Sequence, residues 1–73
     1  MKRMPVISGQ DAVKALYKLG YKPVRQRGSH IRLHCPGKPP ATVPAKGELS
    51  VKTVMSIIRQ SGLTTEEFLK LLA

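Results

Sequence analysis

The 73-residue chain predicts an α+β fold: a helix, three antiparallel strands, a second helix and a short C-terminal helix. Three observations predict it. Apolar residues recur at helical spacing over 9–19 and again over 51–62. Between them, His30-Ile31-Arg32-Leu33-His34 alternates polar and apolar in the manner of a half-buried strand. The extended segments are grouped in sequence and flanked by helical ones, which places the helices on one face of a three-stranded sheet and leaves the other face to water or a ligand.

Ser8-Gly9-Gln10-Asp11 is a helix start: the Ser8 hydroxyl satisfies an orphan amide and Asp11 suits the positive end of the dipole. Ala12, Val13, Leu16 and Leu19 form the apolar face, with Lys14 and Lys18 opposite, and Gly20 supplies the stop. Tyr21 to Arg27 reads as a strand that Pro23 restricts to an edge, since proline cannot donate to a ladder. Gly28 turns the chain into the His30–His34 strand, and Pro36-Gly37 and Pro39-Pro40 punctuate the connection to the next one. Ala41 to Val43 is a short third strand closed by Pro44, and 46–49 is loop. Ser50 caps the second helix. Its expected apolar stripe is Val51, Val54, Met55 and Ile58, widened by Ile57, with Lys52, Ser56 and Arg59 facing out and Gly62 at the end. Thr64-Thr65-Glu66-Glu67 is a capping box opening a short helix whose Phe68, Leu69 and Leu72 cover the core edge.

The length fits one domain, residues 1–73, with a thin core. No deep cofactor pocket is expected, and no cofactor; a large ligand must bind across an outer surface. Thirteen Lys and Arg against four Asp and Glu give a net charge of +9. No acid occurs from Ala12 to Gly47, where Lys14, Lys18, Lys22, Arg25, Arg27, Arg32, Lys38 and Lys46 all lie. Such a field attracts polyanions. Cys35 is the sole cysteine, so no internal disulfide forms. Met1 to Pro5 leads into no apolar run of the secretory kind, and no stretch is long enough to span a membrane. The reducing cytoplasm is the expected compartment, with no membrane partner.

Strand alternation sends Ile31 and Leu33 to the core, so His30, Arg32 and His34 project from the free face. Thr42 joins them if Ala41 and Val43 point inward, and Arg25 and Arg27 share one parity on the neighbouring strand. Imidazoles among guanidiniums suit one reaction in particular. RNA carries its own nucleophile, the 2′-hydroxyl, beside the phosphate it can attack. Cleavage needs a base for that proton, an acid for the leaving 5′-oxygen and positive charge on the phosphate. Histidine, with an ordinary pKa of about 6.5, suits the proton transfers, and Arg presents a fork matched to phosphate oxygens. On residue types alone, two exposed histidines are more often merely solvated. A zinc site of His30, His34 and Cys35 is weaker, because Cys35 has the opposite parity and no fourth ligand is in view; no metal is expected. Cys35 reads as a small buried apolar residue.

The run Arg25-Gln26-Arg27-Gly28-Ser29-His30 resembles the Gly-Ser-His signature of the HicA, or YcfA-like, toxins. Leu16 to Tyr21 is similar to that family's first helix and its Gly-plus-aromatic exit, Thr42-Val43-Pro44 to its third strand, and Val51 to Gly62, followed by Leu63-Thr64, to its second helix. The likeness runs from about Ser8 to Phe68. It implies a fold like the double-stranded-RNA-binding domain, α-β-β-β-α, and a ribosome-independent mRNA interferase whose essential residue is His30. It also implies a HicB-like antitoxin that covers that histidine. His34 sits where many members have a second histidine and is a secondary catalytic candidate. Many members also carry a histidine shortly after the third-strand proline, where this chain reads Pro44-Ala45-Lys46. Lys46 can hold a phosphate as a point charge but is a poor acid or base near neutral pH. Lys22, Arg25, Arg27, Ser29, Arg32 and Lys46 are the expected RNA-binding set. Alternative readings of the same residues are a non-catalytic RNA-binding module and an adaptor for an acidic protein. A helix-turn-helix DNA reader fits poorly, because no helix closely precedes Val51. An acidic antitoxin is expected over the Arg-rich face, its contact extended by apolar residues of the last helix.

Overall fold

The structure is a computed structural model that describes residues 6–72. Residues 1–5, on which the expectation of no secretory signal rests, lie outside them. The order is helix α1 (Gly9–Leu19), strands β1 (Lys22–Arg27), β2 (His30–His34) and β3 (Ala41–Pro44), helix α2 (Val51–Ser61) and helix α3 (Thr65–Leu72). The strands form one antiparallel sheet in the order β1-β2-β3. No helix among the described residues is long and apolar enough to cross a membrane.

Local chemistry sets the helix ends. Ser8 accepts from the Asp11 amide at 3.0 Å while the Asp11 carboxylate accepts from the Ser8 amide at 3.3 Å, a reciprocal capping box. Gly20 closes α1 at φ +115°, a conformation costly for any side chain. The same reciprocity opens α3: the Thr64 amide donates to Glu67 Oε1 at 2.9 Å and the Glu67 amide to Thr64 Oγ1 at 3.1 Å. Those bonds, the backbone one foremost, hold the Glu67 carboxyl below its ordinary pKa. Replacing Ser8 by alanine is expected to cost about 1 kcal/mol, which in a domain of this size lowers Tm by roughly 4–8 °C. Thermal unfolding followed by circular dichroism measures it.

The core lies between the helices and the inner side of β2 and β3. Leu33, Ala41 and Val43 are fully buried there against Ala12, Leu16, Val54, Ile57 and Phe68. Ile31, expected in the core, is only half-buried at its margin. The reason is that α1 and α2 pack on β3, so the sheet extends past the helical layer: every residue of β1 is exposed. The strand itself starts at Lys22, not Tyr21. Tyr21 is fully buried ahead of it, and its hydroxyl donates to the Pro39 carbonyl at 2.7 Å, tying down the β2–β3 connection. Burial, with Cys35 nearby, raises the Tyr21 pKa, so the phenol remains a donor.

The second helix buries three of the five apolar residues expected of it and leaves the other two outside. Val54, Ile57, Ile58 and Ser61 are buried, whereas Val51 is 60% and Met55 37% exposed. At about 100° per residue the buried set centres between Val54 and Ser61, and Met55 lies far round the cylinder from it. The buried Ser61 hydroxyl donates to the Ile58 carbonyl, which satisfies it within the helix. Nor are the exposed apolar side chains those of α3, whose Leu69 and Leu72 pack on the core margin; Tyr17, Val24, Val51 and Met55 are exposed instead.

Candidate nucleic-acid interface

The β2 strand alternates as its sequence dictates: Leu33 is buried while His30, Arg32 and His34 are exposed on the opposite face. Cross-strand register fixes their neighbours, because directly opposed residues share a face. Arg27 pairs with His30, Arg25 with Arg32 and Lys22 with His34 on one side. On the other side Pro44 opposes His30 and Thr42 opposes Arg32. Strict alternation would put Lys22 on the face opposite Arg25 and Arg27. The register shifts between Pro23 and Arg25, where Val24 is the extra residue of a β-bulge, and the shift restores Lys22 to the histidine face.

An open hollow of about 240 Å³ lies on this face, lined by Arg25, Arg27, His30, Arg32 and Thr42. None of the three arginines is paired with a carboxylate among the described residues, so their donors remain available to an anion. The hairpin that carries His30 is a tight Gly28-Ser29 turn, with Gly28 at φ +60°. Its geometry is held from behind: the Ala45 amide donates to the Ser29 carbonyl at 2.6 Å. The far edge of the sheet is closed by Gln60, whose side-chain carbonyl accepts from the Thr42 amide at 3.1 Å while its Nε2 donates to Ser56 Oγ. Nothing in the spacing of Gln60 on its helix signals that role.

The remaining expected residues separate from this cluster. His34 shares the face but lies four residues down the strand, about 13 Å away at Cα by strand geometry, and does not line the hollow. Lys22 stands beside it. Ser29 and Lys46 line a second hollow behind the β1–β2 turn, with Gln10, Gln26 and Ile31, and do not face His30's cluster. Lys46, which follows the third-strand proline, therefore does not line the hollow that holds His30. Cys35 is buried on the inner side. Among the described residues no three His, Cys, Asp or Glu side chains are gathered to hold a metal ion.

The family model described as HicA toxin of bacterial toxin-antitoxin matches residues 9–63. The chain belongs to the HicA toxin family. The match covers α1, the whole sheet and α2, and ends before α3. Membership of HicA gives the chain a toxin's role in a toxin-antitoxin system, and with it an antitoxin as partner. No curated protein matches the chain.

Proposed function

We propose that this HicA chain is a metal-independent endoribonuclease, the mRNA interferase of a type II toxin-antitoxin pair, silenced by a HicB-like antitoxin. One observation carries the reading: His30 stands exposed in a hollow whose walls include three arginines with no carboxylate partner among the described residues. A phosphodiester seated there meets a base and a cationic surround together.

In the reaction, the neutral His30 imidazole takes the 2′-hydroxyl proton as O2′ attacks phosphorus. The crowded phosphate is held by forked donors from Arg25, Arg27 and Arg32, which favour its developing charge. The P–O5′ bond breaks, leaving a 2′,3′-cyclic phosphate and a 5′-hydroxyl. No second imidazole lines the hollow, so the leaving oxygen draws its proton from solvent. DNA lacks the nucleophile and is not cut. Lys22, beside His34, extends the cationic strip along the strand, and Ser29 and Lys46 hold RNA beyond the turn. The antitoxin, an acidic protein, blocks the enzyme by covering the same strip, steered by the net charge of +9. The cytoplasm, where mRNA is found, is its working environment.

The test is cleavage of long single-stranded RNA by purified protein in excess EDTA, which is expected to proceed. Protein that shifts RNA in gels without ever cutting it, even at high concentration, is a binding module and not a nuclease. Binding itself carries a signature. With one phosphate held by the arginines, one by Lys22 and one by Lys46 on a single strand, log K falls with log salt at a slope of about −2, and Lys22→Ala or Lys46→Ala each reduces that slope by about 0.7. A slope unaffected by either variant places the RNA elsewhere on the protein.

A further inference from the structure

Three chain segments meet behind the catalytic face: the start of α1, the β1–β2 turn, and the loop between β3 and α2. Hydrogen bonds fasten them together, Gly9 amide to Gly47 carbonyl at 3.0 Å and Ala45 amide to Ser29 carbonyl at 2.6 Å. They enclose the second hollow, shallow and open, of about 600 Å³. Strand alternation makes it the reverse side of the catalytic one. His30 points forward, while its neighbours Ser29 and Ile31 line the back. Only the thickness of one hairpin separates the two.

The lining is unlike the front face in chemistry. In front are guanidiniums, suited to phosphate. Behind are two amides, Gln10 and Gln26, one lysine, Lys46, and the half-buried apolar surface of Ile31. An amide carries a donor and an acceptor side by side, which is the pattern of a nucleobase edge, whereas a guanidinium offers donors only. Gln26 already donates through Nε2 to the Gly28 carbonyl at 3.1 Å, which fixes its orientation and leaves its carbonyl oxygen to accept. The Gln10 side chain makes no internal hydrogen bond among the described residues, so its whole amide is available. Ile31 offers an apolar surface for a base to lie on, and Lys46 is a point charge for the adjoining phosphate.

We infer that this rear hollow is a nucleobase subsite: a single-stranded RNA whose scissile phosphate sits against His30 bends over the Gly28-Ser29 turn and lays one neighbouring, unstacked base against Gln10, Gln26 and Ile31. Sequence-specific recognition of RNA works on such splayed bases, through their hydrogen-bonding edges. The front face then supplies affinity and chemistry, and the rear hollow supplies preference for one base near the cut. The inference rests on the proposed ribonuclease reading for the placement of the RNA, but its test does not require that RNA be cut.

The protein carrying His30→Ala is incubated with a random pool of seven-nucleotide RNAs, and the bound fraction is sequenced. One base is expected to be enriched at one position by roughly 5- to 150-fold, the range for one good base-edge contact. Gln10→Ala and Gln26→Ala, added singly to that background, are expected to flatten the enrichment. Gln10→Glu is expected to change which base is enriched, since it keeps the shape and exchanges a donor for an acceptor. Both glutamines are exposed, and the bond from Gln26 to Gly28 is a surface one, so both variants are expected to fold. A bound pool with no base preference overturns the subsite, as does a preference that survives both alanine variants. Failure of the wild-type protein to cut any RNA is a separate result that removes the ribonuclease reading and leaves this enrichment to be judged by itself.

Discussion

Replacing His30 with alanine is expected to slow RNA cleavage by roughly 10²- to 10⁴-fold, the usual contribution of a positioned proton-transfer group. The loss falls on the chemical step, because the arginines proposed to hold the phosphate are untouched. RNA affinity stays close to that of the parent. Stability changes by no more than about 0.5 kcal/mol, since the side chain is exposed. Single-turnover cleavage with saturating enzyme separates these effects, and loss of growth arrest in cells lacking the antitoxin is the matching phenotype. His34→Ala provides the contrast: displaced along the strand and outside the hollow, it changes the rate by a small factor only. Cleavage by the His30 variant within about threefold of the parent removes the imidazole from the reaction.

The second expectation concerns stability, and its sign is unusual. Alanine for glycine inside a helix ordinarily stabilises by roughly 0.5–1 kcal/mol. At Gly9 the added methyl would lie 2.6 Å from Ala45 Cα and 2.8 Å from the Ala45 carbonyl carbon, and would collide with the Pro44 carbonyl oxygen. These are backbone atoms with no rotamer to escape into. The start of α1 must move off the β3–α2 loop, which strains or breaks the 3.0 Å bond from Gly9 to Gly47. Overpacking costs about 1–3 kcal/mol and the lost hydrogen bond about 1 more. A 73-residue domain has only about 4–11 kcal/mol in total. Gly9→Ala is therefore expected to destabilise by about 2–4 kcal/mol in urea unfolding. A variant as stable as the parent means that the close approach of helix and loop is not what holds this corner together.

These two residues differ in how far the sequence discloses them. His30 is legible because a five-residue strand with strict alternation leaves only one arrangement of faces, and the flanking arginines then gather by pairing. The caps at Ser8, Gly20, Gly62 and Thr64 are legible for a similar reason: each depends on bonds within a few residues. Gly9 looks like one more residue of a helix start, because its reason for being glycine is a backbone more than thirty positions away. The bulge at Val24 is likewise silent, since a one-residue slip in register leaves no mark on composition, yet it decides which face Lys22 shares. Met55 and Val51 look like core because apolar character alone cannot tell which of two adjacent helix stripes meets the sheet. That Lys46 lines the rear hollow and not the one with His30 depends on the path of the β3–α2 loop, which no local residue pattern discloses.

The most direct measurement uses a short RNA containing one cleavage site, compared with the same RNA carrying a single 2′-deoxynucleotide immediately 5′ of the scissile phosphate. If His30 removes a proton from that 2′-oxygen, the first is cut to a 2′,3′-cyclic phosphate and a 5′-hydroxyl, and the second survives at that linkage while binding as before. Cleavage of the deoxy-substituted linkage at an undiminished rate would contradict this, because the nucleophile would then be water or a protein group and the exposed imidazole would not be acting on ribose.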